Sequence, residues 1–137
     1  MRKKIFYIGI LLVLILLFIP YRTVSVPEWK IKVLQRNGQS APQIEVSQEW
    51  WDYGILEKKQ DVLVSDNEGD LTFPERAFFS PLAVRGLLFF LDSINYFVKP
   101  HGAIRGNKSL VRANKTDSVW LWYKQGDNLA EVLQLYY

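Results

Sequence analysis

Trp29-Lys30-Ile31-Lys32-Val33, followed after Asn37-Gly38 and Ala41-Pro42 by Ile44-Glu45-Val46-Ser47-Gln48-Glu49-Trp50-Trp51, is the stretch that decides the fold. Both runs alternate with the two-residue period of an extended chain. Successive strand side chains point to opposite faces, so each run has one face for a core and one for solvent. Asn37 and Gly38 tolerate positive φ and supply a turn. The runs are predicted to be neighbouring strands joined by a loop longer than a minimal hairpin. Tyr53-Gly54 ends the second.

The same signals continue towards the C-terminus. Residues 55–61 are a polar connection, and Val62-Leu63-Val64 forms a third strand within 61–65. Asp66 to Asp70 has the composition of a turn. Leu71-Thr72-Phe73 is a fourth strand, stopped by Pro74, which has no N–H for a ladder. Further strands are predicted at 109–113, 118–123 and 131–136, the last of which also suits a short helix. About seven short strands at turn-punctuated intervals predict a mainly β fold, a small antiparallel β-sandwich.

One helix interrupts it. Ser80-Pro81 is a helix start, with Ser as cap and Pro at the first position. Residues 81–97 are apolar on nearly every face, and Arg85, Asp92 and Lys99 recur at seven-residue intervals as one narrow polar stripe. A helix on the surface of a small sheet normally shows a wider polar face. Three readings follow: a helix wedged into the core, a helix resting in a membrane interface, or a second span. The core reading is favoured, and Arg85, Asp92 and Asn95 count against a span.

Residues 1–26 form a unit of another kind. Arg2, Lys3 and Lys4 precede an unbroken apolar run from Ile5 to Ile19. A helix apolar all round has no place in water. The run reaches only about 22 Å as a helix, against a hydrocarbon core of roughly 30 Å. Extension to Val26 gives about 33 Å and takes in Pro20 and Arg22. Tyr21 and Arg22 suit the membrane interface. The segment is read as an uncleaved signal anchor, a transmembrane helix contacting lipid through residues 5–26. Cleavage is the rival reading, but Thr23-Val24-Ser25 is a poor small-residue site. The basic start places the N-terminus in the cytoplasm, and residues 27–137 form an extracytoplasmic domain, periplasmic or on the cell surface.

Composition narrows the chemistry. The 137 residues carry a formal net charge of +3, include one histidine and no cysteine, and are 49% hydrophobic. There is no thiol nucleophile, no disulfide framework and no multi-histidine metal cluster. Neither a P-loop nor a dinucleotide-binding glycine pattern occurs, so no cofactor is expected. Four of the 17 basic residues lie before Val26 and all 14 acidic residues lie after it, leaving the remainder at −1. The basic balance therefore belongs to the membrane signal, and no nucleic-acid partner is expected.

Trp29-x-Ile31-x-Val33, Gly38, Ala41-Pro42, Ile44-x-Val46 and Val64-x-Asp66-x-x-Gly69-x-x-x-Phe73-Pro74 together resemble the carboxypeptidase regulatory-like domain. That family belongs to the transthyretin-like (prealbumin-like) β-sandwiches. The resemblance covers residues 28–76. The helix at 81–97 and the stretch 99–117 depart from the minimal domain. The resemblance implies a non-catalytic folding, adhesion or docking module, and no peptidase domain accompanies it here.

Among candidate sites, Asp66, Glu68 and Asp70 lack the glycine and glutamate positions of a calcium loop and read as a solvated turn. Trp51, Tyr53, Trp122 and Tyr123 are the candidate binding surface, for a partner protein of the cell envelope or, as the alternative, for a glycan or small ligand. His101 is a loop residue with no nucleophile or orienting carboxylate at a recognisable spacing. A serine–lysine pair drawn from Ser80, Ser109 and Lys99 has no motif behind it.

Overall fold

The computed structural model describes residues 2–53, 57–98, 106–114 and 118–136. In chain order the elements are α1 (Arg2–Phe18), β1 (Pro20–Val26), β2 (Trp29–Leu34), β3 (Glu45–Trp51), β4 (Lys59–Val64) and β5 (Asp70–Phe73). They continue with β6 (Arg76–Pro81), α2 (Leu82–Val98), β7 (Lys108–Ala113), β8 (Leu121–Lys124) and β9 (Val132–Gln134). Among the described residues the fold is mainly β, with nine strands in three sheets and two helices.

β5, β2 and β9 form one sheet in that order, and β4, β3, β7 and β8 form the second. Their inner faces share one apolar core. Trp29, Ile31, Val33, Leu71, Phe73 and Leu133 come from the first sheet, and Val46, Val111, Leu121 and Tyr123 from the second. Trp29 is fully buried, its indole N–H donates to the Ala130 carbonyl at 2.6 Å, and its ring meets Tyr123 edge-on at 6.1 Å. Burying a side chain of that size contributes several kcal/mol, on the order of 3–5 by the usual cost of its removal.

Three expectations are corrected here. β2 and β3 are not hydrogen-bonded neighbours; they belong to different sheets. The connection carries the chain across because Gly69 lets two backbones meet behind β2. Gly69 has φ +81°, its carbonyl accepts from Val33 N–H at 2.8 Å, and a Cβ there would lie 2.8 Å from the Val33 oxygen. Second, the sheets are not wholly antiparallel. β9 runs parallel to β2, with Val33 opposite Leu133.

Third, the helix expected to reach Val26 ends at Phe18. The residue before a proline is driven out of the α region, and β-branched and aromatic residues at 21–26 favour a strand. β1 instead pairs antiparallel with β6, from Pro20 opposite Pro81 to Val26 opposite Arg76. α1 has 17 residues, about 25 Å of helix. Among the described residues no helix is long and apolar enough to cross a membrane.

The β1–β6 ribbon is tied to the body by buried polar contacts. A register shift between Val24 and Val26 turns both Ser25 and Val26 inward. The Ser25 hydroxyl donates to Asp52, whose other oxygen accepts from Lys59. Arg76 donates through Nε to Gln48 Oε1 at 3.0 Å and through Nη2 to Asp61, and stacks 4.3 Å from the Trp50 ring centroid.

Candidate functional site

The two helices grow from opposite strands of the ribbon and touch each other. Apolar side chains are exposed around α1, from 43% for Ile10 to 66% for Phe6, while Leu17 near its end is half-buried. Each such side chain left in water forgoes up to about 1.5–3 kcal/mol of burial.

α2 is amphipathic, but with its polarity reversed. Arg85, Leu88, Asp92 and Asn95 share the covered stripe, and Asp92 is only 2% exposed. Leu82, Leu87, Phe90, Leu91, Ile94 and Phe97 face outward. The expectation of a helix wedged into the core is therefore overturned. The two sheets already fill that core with their own side chains, and the covered stripe of the helix meets polar groups of the body instead.

Those groups form a seam. Arg85 donates through Nε to Ser80 Oγ at 3.1 Å and through Nη2 to the Tyr21 carbonyl. Asp92 Oδ2 accepts from Gly106 N–H at 2.9 Å. Tyr53 sits at φ +60°, its N–H donates to Asn107 Oδ1 at 3.1 Å, and its ring meets Phe78 edge-on at 5.9 Å. Burial pushes the Tyr53 phenol above its usual value, with Arg85 opposing and Asp92 adding to the rise. Burial also lowers the Lys108 ammonium, and Asp92 opposes that shift.

The outer face of the four-stranded sheet is the other candidate surface. Pairing puts Trp51 beside Lys108, and Glu49 beside Leu110 and then Trp122. The Lys108 ammonium lies 4.8 Å from the Trp51 ring centroid, and Glu49 is bridged by Lys58 and Arg112, each at 3.2 Å. Trp120 and Trp122 are 54% and 48% exposed on this face, with the Arg112 guanidinium 5.8 Å from the Trp120 ring centroid.

The four aromatic candidates thus separate. Trp51 and Trp122 share the outer face. Tyr123 belongs to the core, 7% exposed against Trp29, as the alternation along β8 requires. Tyr53 belongs to the seam. Trp120 joins Trp122, and the same alternation was its signal in the sequence. Tyr21 and Arg22 lie on the ribbon where the helices emerge, and Arg22 pairs with Glu75. The inward turn of Asp92 has no counterpart in the sequence beyond its place on a narrow stripe.

The remaining candidates that lie among the described residues are engaged by their own neighbours. The Asp66 carboxylate accepts from Glu68 and Asp70 N–H at 2.9 and 2.8 Å, so it closes its own turn. Among the described residues no group of three or more acidic, histidine or cysteine side chains is placed to hold a metal. Ser80 is engaged by Arg85, and Ser109 donates to the Glu49 carbonyl at 2.9 Å. His101 and Lys99 lie outside the described residues. A shallow groove of about 550 Å³ outside the three-stranded sheet is lined by Lys30, Lys32, Asp70 and Glu131, and its Lys32–Asp70 pair at 3.3 Å is already closed.

No family model, curated protein or solved structure matches the chain.

Proposed function

We propose that the chain is a non-catalytic, membrane-anchored module whose β body contacts another protein of the cell envelope. The observation that carries this reading is α1, whose apolar side chains are exposed around the helix. Lipid is the surrounding in which such a helix is stable, because its backbone hydrogen bonds are internal. Arg2, Lys3 and Lys4 favour a cytoplasmic N-terminus, with the β body on the other side. At about 25 Å, α1 bridges the hydrocarbon only where the bilayer thins locally, a modest cost per ångström.

For the body, the proposal is a transthyretin-like sandwich related to the carboxypeptidase regulatory-like domain. It is supported by two sheets sharing a core, Gly38 and Gly69 at positive φ, and Phe73 in the core after the Asp66–Gly69 turn. The partner surface is the outer face around Trp122 and Trp120, where exposed aromatics lie among paired charges. Two exposed indoles one strand repeat apart also favour a second reading, stacking on a glycan.

The test uses membranes from cells making the full chain with an N-terminal tag. The chain is expected to resist alkaline carbonate extraction, and protease added from the extracytoplasmic side is expected to remove the body and spare the tag. Release by carbonate would overturn the anchor. A photo-crosslinking residue in place of Trp122 should capture one protein that the same residue in place of Thr72 does not. Identical patterns from both positions would remove the partner face. Quenching of tryptophan emission by soluble cell-wall sugars, lost in Trp122→Ala, would move the assignment to the glycan.

A further inference from the structure

We propose that α2 is a second membrane element, lying in the plane of the bilayer surface and seating the β body against the lipid. This rests on the reading of α1 as the anchor and adds a surface to it. The first argument is polarity. α2 turns Arg85 and Asp92 towards the body and Phe90, Ile94 and Phe97 away from it. In a helix that meets water the arrangement is the reverse. An interfacial helix buries its apolar face about 5–10 Å into the headgroup and acyl boundary. Its polar face usually meets water; here the body's Ser80, Gly106 and the Tyr21 carbonyl take that place.

The second argument is placement. Asp92 lies near the middle of α2 and accepts from Gly106, two residues before β7. With Arg85 on Ser80 near the start of the helix, this ties α2 to the body at two points along its length. The third is continuity. Pro20 pairs with Pro81, so α1 ends and α2 begins at one level of the ribbon. Phe79, opposite Arg22 on the same ribbon, is 69% exposed. One exposed hydroxyl on α2, Ser93, donates back to the Phe89 carbonyl at 2.6 Å, as a hydroxyl in an apolar setting does. A bilayer, entered by α1 and met edge-on by α2, fits a surface that is apolar and continuous across two helices.

The chain has no cysteine, so single cysteines can be placed without background. Leu12→Cys, Phe90→Cys, Ile94→Cys and Thr72→Cys are each labelled with an environment-sensitive fluorophore in the full chain. The labelled proteins are reconstituted in vesicles of phosphatidylcholine and phosphatidylglycerol. Labels at 90 and 94 should shift to the blue, lose several-fold in quenching by aqueous iodide, and be quenched most by lipid nitroxides near the headgroup. The label at 12 should be quenched most by nitroxides near the chain ends, and the label at 72 should stay in water. If 12 is in lipid while 90 and 94 remain open to iodide, the inference falls and the anchor stands. If all four are in water, both fall. Protection of 90 and 94 without lipid quenching would mean that a protein surface or a second copy covers α2, which overturns the inference.

Discussion

β2 and α2 both sort polar from apolar side chains along one line, and they point the result in opposite directions. β2 turns Trp29, Ile31 and Val33 into the core and leaves Lys30 outside. α2 turns Asp92 towards the protein and leaves Phe90 and Phe97 outside. A pattern in sequence fixes which residues share a face; it does not fix what that face meets. In β2 the apolar face meets a second sheet. In α2 Phe90, Ile94 and Phe97 stay exposed among the described residues, and that difference carries the membrane reading.

The difference can be broken by paired substitutions. Trp29→Ala removes a fully buried ring and its hydrogen bond to Ala130. It should cost the full chain about 3–5 kcal/mol in denaturant unfolding in detergent. Phe90→Ala, on the outward side of α2, should change the same measurement by less than about 0.5 kcal/mol. Equal losses would mean that α2 packs into protein after all. A smaller effect tests how the body is assembled. Gly69→Ala places a Cβ against the Val33 carbonyl at φ +81°, so a loss of about 1–3 kcal/mol is expected. Gly38→Ala, also at positive φ but with open space at its Cβ, should lose less. A Gly69 variant as stable as the Gly38 variant would show that the close backbone approach behind β2 can relax.

These elements also show what was legible. Alternation in 29–33 and 44–51 located β2 and β3, and the apolar run 81–97 located α2 to within a residue. The assignment of β2 and β3 to different sheets was hidden. It depends on Gly69, far along the chain, taking a backbone contact that no local pattern announces. β1 and β6 were hidden for a related reason. Each is short and half-exposed, and each is defined by a partner fifty or more residues away. Of the candidate surface, Trp51 and Trp122 were readable because strand alternation is local, and the same rule separates Tyr123 from them. Asp92 was readable only as part of a stripe. The direction of that stripe depends on a core already filled by other residues.

The smallest expected effect lies at the seam itself. Tyr53 is half-buried where α2 meets the body, and burial raises its phenol above the ordinary value of 10.0, with Arg85 opposing and Asp92 adding. A folded-state pKa raised above the unfolded one contributes stability that is present below pH of about 10 and fades as pH rises through the folded value. Ultraviolet titration of the full chain should therefore contain a phenolate component above 10, and Tyr53→Phe should remove it. Asp92→Ala removes both a neighbouring negative charge and the acceptor of the Gly106 N–H. If α2 is the cover, that variant should move the component back towards 10, because the lifted helix re-exposes the phenol and takes the carboxylate with it. An unchanged titration in Asp92→Ala would mean that Phe78 and Asn107 bury Tyr53 without help from α2. The polar stripe would then be a bystander, and the reversed polarity of α2 would have to be explained without a seat on the body.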